Sequence, residues 1–563
     1  MLQNDSMEDP EDPHGYLGRT SSQPATVTVY TTGHPSTLRQ SSMTLQAMTP
    51  MVKSQIDSAL LELFYMDIQP LSIVQDKAFC RFVTSLNPLY QLPSRSTISK
   101  ELIPSLYEDC MNAVKNKLME VQTCCLTTEC WMTENDTYMT TTIHFIDRNF
   151  ELVSVLLECS NIGVSHTSEY LTSEVDRITR EWGVDNKVIF GVSDNATNLK
   201  TAMSSDSKWE HFDCLVQTLH LIVNDGLNLE PVANFINKIK ATVTYFKRRP
   251  SSMAILRSCQ ESLGKEPRNL VMDVPNRWNS MYTMLSRFSE LESALQLSLS
   301  LISEEIPVIS MEDWDMCRQL CQVLKPFDNA MSTISNEKYP SASLVIIIIN
   351  GLRKVCDRLL ERDFLPSVKA MTRIVRDALQ DLLTDAEKSP MLAMCTFLDP
   401  RFKMLAFENK QEAENTKRNV ISIIEEHINK TPAVLLEETE ALEEEQTFDD
   451  ELSLWNAFDE SVKQTTLPGK SASRALIEVE RYIDEEFANR RENALEWWKK
   501  HEYNYPNLVP LVKERFCALA SAVPCERVFT KAGAILNERR FKLSFNKLKT
   551  FLFLNANSHL LHK

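Results

Sequence analysis

Cysteine is absent from the first 79 residues of this 563-residue chain, and the fourteen cysteines further along follow no disulfide-framework spacing. The first absence excludes a cysteine-ligated zinc finger in that segment, and the second favours a reducing compartment. Cys317 and Cys321 form a C-x3-C pair, and Cys124 and Cys125 are adjacent, but neither pair has a second pair nearby to complete a tetrahedral zinc site. Buried free thiols are therefore the favoured interpretation, and structural zinc is the alternative.

Long hydrophobic runs and a basic net charge are also missing. The longest purely aliphatic run, residues 344–349, is far too short to cross a bilayer. The acidic N-terminus does not resemble a secretory signal. A formal net charge of −17 excludes non-specific nucleic-acid binding by the chain as a whole, so any DNA binding needs a local basic face. These absences predict a soluble intracellular protein.

The first 214 residues divide into three predicted parts. Residues 1–52 lack an apolar period and predict disorder, and residues 53–120 have a helical period. From 121 to 214 three β-rich runs, "VQTCCLTTECW", "TYMTTTIHFID" and "FELVSVLLECS", precede a helix over about 167–182 and a strand in "KVIFGVSD". This order predicts a mixed α/β sheet.

The rest of the chain is predicted to be helical. Residues 215–430 show the i, i+3, i+4, i+7 apolar spacing almost throughout. Residues 431–470 contain the acidic tract "LLEETEALEEEQTFDDE", which predicts an exposed linker at the end of that helical part, with an acidic docking face as the alternative. Residues 471–563 are again helical.

Three carboxylates are candidates for a metal site. Glu129 and Asp194 lie at the carboxyl ends of predicted strands, where ligand groups gather in α/β sheets. Glu526 lies in the first turn of a predicted helix. Three such acids can hold two Mg²⁺ ions for attack on a phosphodiester. Carboxylates at these positions are more often helix caps than metal ligands, so the residues alone leave both interpretations open.

Seven motifs occur in an order that resembles a known family. They are "TTECW", "SDNATNLKTAM", "DCLVQTLHLIV", "NRWNSMYTML", "FLDPRFK", "LEWWKKHEYNYPNL" and "SAVPCERVFTKAG…NERR". The chain resembles, over about residues 55–560, the hAT-superfamily DNA transposases and the domesticated host proteins derived from them, especially the group with BED zinc fingers.

The resemblance implies an RNase H-like fold, interrupted by a large all-α insertion and followed by a helical C-terminal dimerisation region. In that fold Glu129 and Asp194 would lie side by side on neighbouring strands. The region from about 480 to 560 would form a homodimer. The apolar residues expected there are Phe529, Ile535, Leu548, Phe551, Leu552 and Leu554. Packing within one chain is the alternative role for this stripe.

The chain departs from the family's pattern at three places. The family's first catalytic acid is an aspartate, and here it is Glu129, whose extra methylene shifts the carboxylate by about 1.5 Å, a change that two-metal geometry tolerates poorly. The family's C-x-x-H motif keeps Cys214 but has Gln217 in place of histidine, and glutamine carries no proton at neutral pH. The family's BED finger, which needs paired cysteine ligands, is not expected in residues 1–79, because they contain no cysteine.

Other residues are candidates for DNA contact. Trp278 stands where the family's tryptophan stacks near a flipped base, with a core aromatic as the alternative. The complete set of predicted DNA contacts is Trp278, Arg277, Cys214, Gln217, Arg527 and Lys531, and the wider basic set near the C-terminus adds Arg539 and Arg540. A solvated helix face is the competing interpretation of the C-terminal basic residues.

These observations favour a transposase-derived, non-catalytic nuclear protein that dimerises and takes part in DNA- or chromatin-associated regulation. No cofactor is expected, and Mg²⁺ or Mn²⁺ would be needed only if Glu129, Asp194 and Glu526 were active. An active metal-dependent transposase and a protein-interaction scaffold without nucleic-acid binding are the alternatives. No nuclear localisation cluster stands out, so the nuclear placement follows from the resemblance.

Overall fold

The computed structural model describes residues 48–132, 136–163, 167–204, 209–274, 277, 279–302, 306–335, 341–430, 470–537 and 545–561. The side chains of 470–471, 531–537 and 545–546 are not among those described. Several predictions therefore lie outside the described part: disorder over 1–47, the acidic linker up to residue 469, Trp278, Arg539 and Arg540, and the side chains of Lys531 and Ile535.

The chain forms two compact units, Met1–Leu106 and Tyr107–Lys563. In the first unit, the helix Pro50–Tyr65 begins three residues before the predicted start of the helical part at 53. The reason is local: Thr49 accepts a hydrogen bond from the Val52 amide at 3.4 Å, and proline suits the first helical turn. The further helical segments are Leu71–Gln75, Lys77–Leu86, Arg95–Thr97 and Ile98–Leu102, followed by Ile103–Met119, which continues into the second unit.

A five-stranded mixed sheet is the base of the second unit. Its strands are β1 (Cys124–Met132), β2 (Thr137–Ile146), β3 (Leu152–Asn161), β4 (Val188–Ser193) and β5 (Glu210–Asp213). Their order is β3-β2-β1-β4-β5, with antiparallel pairing among β1, β2 and β3 and parallel pairing of β4 with β1 and β5. The helices Ser168–Glu181 and Thr197–Ser204 precede and follow β4. The predicted mixed sheet is confirmed.

Strand β5 was not predicted from the sequence. It has only four residues, "EHFD", and its two ends are charged, so it carries no clear alternating pattern. Its first residue joins it to the helical part of the chain: the Glu210 carboxylate accepts hydrogen bonds from the Ser389 hydroxyl and from the Met391 amide at 3.0 Å. A carboxylate at a helix N-terminus satisfies free amides there.

The described residues between 215 and 430 form helices and no strand. The α-helices are Leu215–Leu227, Glu230–Arg248, Pro250–Ser262, Ser280–Glu290, Glu292–Leu301, Met311–Ile334, Val345–Leu360, Pro366–Lys388, Pro390–Leu398 and Lys410–Lys430, with short 3₁₀ segments at Ser341–Leu344 and Lys403–Ala406. Within the described chain, no helix is long and apolar enough to cross a bilayer. Most of the apolar residues in these helices are buried in one continuous core, as the helical period requires.

The C-terminal region returns to the sheet. Its helices are Lys470–Asp484, Ala494–Lys500, Leu508–Arg515, Val523–Asn537 and Phe545–Asn557, with 3₁₀ segments at Glu502–Asn504 and Ser558–Leu560. The helix Val523–Asn537 packs on β1 and β2, and Phe545–Asn557 packs on β3. All fourteen cysteines are free thiols, including the buried Cys317.

The predicted dimerisation stripe is buried inside a single chain. Leu548, Phe551, Leu552 and Leu554 of the helix Phe545–Asn557 are each at most 5% exposed, and Phe529 is 7% exposed. Asn557 fixes this helix to β3, because its side chain accepts from the Leu156 amide at 3.0 Å and donates to the Leu156 carbonyl at 2.9 Å. This burial favours intrachain packing as the role of these residues.

Candidate functional site

The sheet brings Glu129 and Asp194 to neighbouring positions. Strands β1 and β4 are parallel, and Thr128 lies beside Ser193. Glu129 follows Thr128 and Asp194 follows Ser193, so the two acids occupy neighbouring positions. The Cys130 amide donates to Asp194 Oδ2 at 3.3 Å, which connects β1 directly to the end of β4. The predicted adjacency of the two acids is thus present in the structure.

Asp194 organises the turn after β4. Its Oδ1 accepts a hydrogen bond from the Ala196 amide at 3.0 Å, two residues on, at the start of the helix Thr197–Ser204. Burial raises the pKa of Asp194, and the charge of Asp213 raises it further, while the amides of Ala196 and Cys130 oppose that rise. Both carboxylate oxygens therefore already accept a hydrogen bond from the backbone.

Glu526 reaches the same edge from the helix Val523–Asn537. The preceding residue, Cys525, is fully buried, and its Sγ lies 3.5 Å from the hydroxyls of both Thr127 and Thr142. This contact fixes the first turn of the helix on β1 and β2. Glu526 is thereby close enough to Glu129 for its charge to raise the pKa of Glu129, and burial raises the pKa of Glu526 itself. The structure therefore brings the three predicted acids together.

Glu129, Asp194 and Glu526 together are called the acid cluster below. Within this cluster, Glu129 is the acid whose pKa is raised by the charges of both others. It is only 8% exposed. Burial raises its pKa well above the ordinary value, and the charges of Glu526 and Asp194 raise it further. Its Oε2 is buried and has no hydrogen-bond partner among the described residues. An unpaired buried carboxylate oxygen costs about 1–3 kcal/mol or more.

Gln217 binds the other oxygen of Glu129. Its Nε2 donates to Glu129 Oε1 at 3.1 Å, and its Oε1 accepts from the backbone N–H of Asn195 at 3.0 Å. A hydrogen bond from Gln217 also lowers the pKa of Glu526 and so opposes the effect of burial there. Gln217 thus contacts groups on all three elements that carry the acid cluster.

Cys214 starts the helix that carries Gln217, Leu215–Leu227. Its amide donates to the Ser193 carbonyl at 2.9 Å, and its side chain is fully buried. Burial raises the pKa of the Cys214 thiol to about 12. A buried, neutral thiol fixes the start of the helix and presents no surface for DNA. Cys214 and Gln217 therefore lie at the acid cluster, whereas their predicted contact with DNA stays a prediction.

A two-metal centre, which the family resemblance implies, does not fit the described side chains as they are arranged. Asp194 accepts backbone hydrogen bonds at both oxygens, and Gln217 holds one oxygen of Glu129. Only Glu129 Oε2 is left as an orphaned buried acceptor in this cluster. Across the described ranges, no group of three or more His, Cys, Asp or Glu side chains is placed so that it could hold a metal ion. The charges of Asp194 and Glu526 therefore act on Glu129, but the described side chains do not form a set of metal ligands.

Of the other predicted DNA contacts, Arg277 and Arg527 have described side chains, whereas Trp278 and Lys531 do not. Arg277 is exposed, and its neighbour Trp278 lies outside the described residues. The guanidinium of Arg527 donates to the Ser335 carbonyl at 2.6 Å. The side chain of Lys531 is not described. A shared basic face for these residues stays a prediction.

Two residues beside the acid cluster were missed in the sequence. Asn195 supplies the amide that orients Gln217, and its side chain donates to the Thr218 hydroxyl at 3.0 Å. Trp131 stacks on Phe529 with a centroid distance of 5.6 Å and an interplanar angle of 22°. A usable signal existed for Trp131, because residues two apart on a strand share a face, and this places it beside Glu129. No comparable signal existed for Asn195.

Comparison with known proteins identifies three regions of the chain. Residues 127–209 match the ZBED1 RNase-like domain, residues 212–323 match the ZBED1 RNase-like helical domain, and residues 478–558 match the hAT family C-terminal dimerisation region. The acids Glu129 and Asp194 fall in the first region, Gln217 falls in the second, and Glu526 falls in the third. The acid cluster is thus assembled from all three.

Several known proteins are similar to this chain over most of its length. Zinc finger BED domain-containing protein 4 of Homo sapiens is 25% identical over 533 residues, which cover 91% of this chain and 44% of that protein. A putative AC transposase of Zea mays is 24% identical over 507 residues, covering 84% and 61%. A putative transcriptional regulator, tpeD, of Talaromyces stipitatus is 22% identical over 502 residues, covering 82% and 56%.

These findings define a protein with a ZBED1-type RNase-like domain and a hAT dimerisation region. The chain is a relative of the hAT transposases and of the BED zinc finger proteins, and the resemblance inferred from the seven motifs is confirmed. It spans roughly half the length of the curated relatives named above.

Proposed function

We propose that this chain is a transposase-derived, non-catalytic nuclear protein that dimerises through its C-terminal hAT region and acts in DNA- or chromatin-associated transcription regulation. The observation that carries the proposal is the state of the acid cluster. A glutamate stands at the first acid position, and the amide of Gln217 donates to it at 3.1 Å. Names among the relatives, a transcriptional regulator and a BED zinc finger protein, support the regulatory and nuclear parts of the proposal.

The proposed dimer uses surfaces of residues 478–558 other than the buried stripe. Leu548, Phe551, Leu552 and Leu554 are covered by their own chain, so a subunit contact needs exposed side chains of the same region. An isologous dimer pairs one such patch with itself. Sedimentation of the full chain over a range of concentrations tests this step independently of any DNA.

A cleavage and binding assay tests the proposal. The purified chain is incubated with labelled duplex and hairpin DNA in Mg²⁺ or Mn²⁺, and filter binding is measured in parallel at low salt, where phosphate contacts are strongest. We expect retention of DNA and a dimer, without cleavage. The matched variant is Glu526→Ala, which removes one acid of the cluster.

Two outcomes would replace the proposal. Cleavage by the wild-type chain that is lost in Glu526→Ala would indicate an active transposase. That alternative has one observation in its favour, the unpaired Oε2 of Glu129 beside two further acids, and it predicts that Glu129→Asp raises cleavage. Neither cleavage nor DNA retention would indicate a protein-interaction scaffold.

A further inference from the structure

One tyrosine of the C-terminal region projects from the surface on a firmly held segment. Tyr503 is 96% exposed and lies in the 3₁₀ segment Glu502–Asn504. The residues on both sides of this segment are fixed, because the His501 ring stacks on Trp497 with a centroid distance of 3.9 Å and the Tyr505 side chain is fully buried. The segment therefore presents the Tyr503 ring to solvent in a defined position.

An open cleft of about 740 Å³ lies beside Tyr503. One wall of the cleft is the chain around Tyr503 together with the helix that follows it, and this wall includes Pro506 and Pro510. The other wall comes from residues 117–123 and 145–148, at the start of β1 and the end of β2. Proline rings are apolar surfaces on which aromatic side chains pack in protein recognition. The cleft therefore has the lining that an aromatic ring requires.

The two walls are joined to each other, so the cleft is formed before any partner binds. The Thr123 hydroxyl donates to the Glu514 carbonyl at 3.3 Å, which links the start of β1 to the helix Leu508–Arg515. The Lys513 ammonium lies 4.0 Å from the centroid of the Phe150 ring, just after β2. A rigid cleft and a rigid projecting ring lose little conformational entropy on association, which favours tight binding.

The charged side chains around the cleft carry both signs. The basic ones are Lys117, Arg148 and Lys513, and the acidic ones include Glu120, Glu502 and Glu514. A rim of one sign would repel a copy of itself, and a basic rim would suit the phosphates of DNA. A rim of both signs can instead be complementary to its own copy. The pair of Arg148 with Glu120 within the chain is long, at 3.9 Å, so both side chains can turn to a partner.

The position of the cleft in the chain points to a second copy as its occupant. Tyr503 and the wall that carries it lie within residues 478–558, which match the hAT dimerisation region. The apolar stripe of the same region is buried in its own chain, so it leaves the subunit contact to another surface. Across a twofold axis, residue i contacts residue j and j contacts i. A projecting ring beside an open cleft meets this requirement.

We propose that this cleft, which we call the Tyr503 cleft, is the homodimer contact, and that the Tyr503 ring of each copy enters the cleft of the other. Tyrosine is one of the residue types that supply most of the binding energy at protein interfaces. The inference deepens the dimerisation step of the proposed function and rests on it. It names the surface for that step and does not depend on DNA binding.

Sedimentation of the full chain over a range of concentrations tests the inference in the wild type, Tyr503→Ser and Leu405→Ser. We expect Tyr503→Ser to weaken dimerisation by at least about thirtyfold, the factor for a tyrosine at the centre of an interface. The far-UV circular dichroism should not change, because the ring is exposed within its own chain. Leu405 is the matched control: it is 77% exposed in the 3₁₀ segment Lys403–Ala406, outside 478–558, and Leu405→Ser should leave the dimer unchanged.

Photocross-linking locates the contact directly. The photoreactive p-benzoylphenylalanine replaces Tyr503, the full chain is irradiated, and the covalent dimer is separated from the monomer before mass spectrometry. Only links between two copies are then counted. We expect position 503 of one copy to be joined to residues 117–123 or 145–148 of the other, the wall that faces Tyr503 across the cleft.

Three results would overturn the inference. A dimer of Tyr503→Ser as tight as that of the wild type, or a covalent dimer joined at other residues, would mean that the subunits meet elsewhere, and the dimerisation step of the proposed function would stand. A wild-type chain that stays monomeric would overturn that step as well. DNA retention is decided separately by the filter-binding measurement.

Discussion

Two clusters of buried charge in the described part of the chain are satisfied in different ways. In the "FLDPRFK" motif, the fully buried Asp399 accepts from the Arg401 side chain at 2.8 and 2.6 Å and from the Ser343 hydroxyl at 2.7 Å. In the acid cluster, Glu129 receives a single donor at 3.1 Å, and its second oxygen has no partner within the described chain.

The difference separates buried charges that have a structural role from buried charges that do not. Buried charges that serve the fold are paired and fully hydrogen-bonded, as Asp399 and Arg401 are. In the acid cluster, by contrast, the charges of Glu526 and Asp194 add to the effect of burial and raise the pKa of Glu129. Such an arrangement is typical of sites that were built for a cation or a proton. The next three experiments test this contrast.

Breaking the paired cluster should give the largest loss of stability. Arg401→Met leaves the buried Asp399 without its counter-charge, which costs about 3–5 kcal/mol. Chemical denaturation followed by tryptophan fluorescence measures the change. The control is Arg318→Met on the surface, where Arg318 pairs with Glu292 and Asp315 and where less than about 1 kcal/mol is expected. Equal losses in the two variants would contradict a structural role for the Asp399 pair.

Removing the neighbouring lysine should cost less. Lys403 is 1% exposed, and its Nζ donates to the carbonyls of Tyr482 at 2.6 Å, Ile483 at 3.3 Å and Glu485, around the end of the helix Lys470–Asp484. It adopts a φ of 48°, in the left-handed region that non-glycine residues rarely occupy. Lys403→Met should lower the free energy of unfolding by about 1.5–3 kcal/mol, the range for hydrogen bonds to a charged group.

A surface lysine gives the comparison for this variant. Lys500→Met removes a charge that pairs with Glu492 on the surface, and we expect almost no change in the denaturation midpoint. If Lys403→Met were as stable as Lys500→Met, the lysine would not be holding the helix end. The lysine of the FLDPRFK motif would then lose its structural explanation.

The sequence predicted most of the scaffold because its strands and helices carry strong local periods. Four of the five strands and the long helices follow from the spacing of apolar residues, whereas β5 is too short and polar to show a period. The position of Glu526 beside Glu129 depends on a contact between residues almost 400 positions apart. No local pattern carries that information, so the resemblance to a family supplied it.

The roles of Gln217 and the C-terminal stripe were harder to predict for the same reason. Gln217 in place of the family's histidine indicates a changed site in the sequence. Only the hydrogen bond from the backbone N–H of Asn195 shows which way the Gln217 side chain points. An apolar stripe on a helix does not say whether a subunit or the chain's own sheet covers it. In both cases the deciding partner is distant in sequence.

Neutralising the acid cluster should change stability with the opposite sign. Glu129→Gln keeps the shape and keeps an acceptor for Gln217 but removes the charge. The raised pKa means that the folded wild-type protein binds a proton more tightly than the unfolded chain. Stability contributed by this proton is therefore present at low pH and is lost as the pH rises from the ordinary glutamate value toward the raised one, by at most about 1.4 kcal/mol per pH unit.

Denaturation of the wild type and of Glu129→Gln, measured at a series of pH values upward from the ordinary glutamate pKa, gives the contribution of this proton to the free energy of unfolding. The variant should be the more stable protein at the upper end, and the two curves should converge toward the lower end. Buried His144, whose pKa burial lowers to about 3, acts in the opposite sense, because acid favours its protonation in the unfolded chain. Both proteins share that histidine, so the difference between the curves isolates Glu129. Parallel curves would mean that Glu129 is already ionised at no cost, and the contrast with Asp399 would disappear.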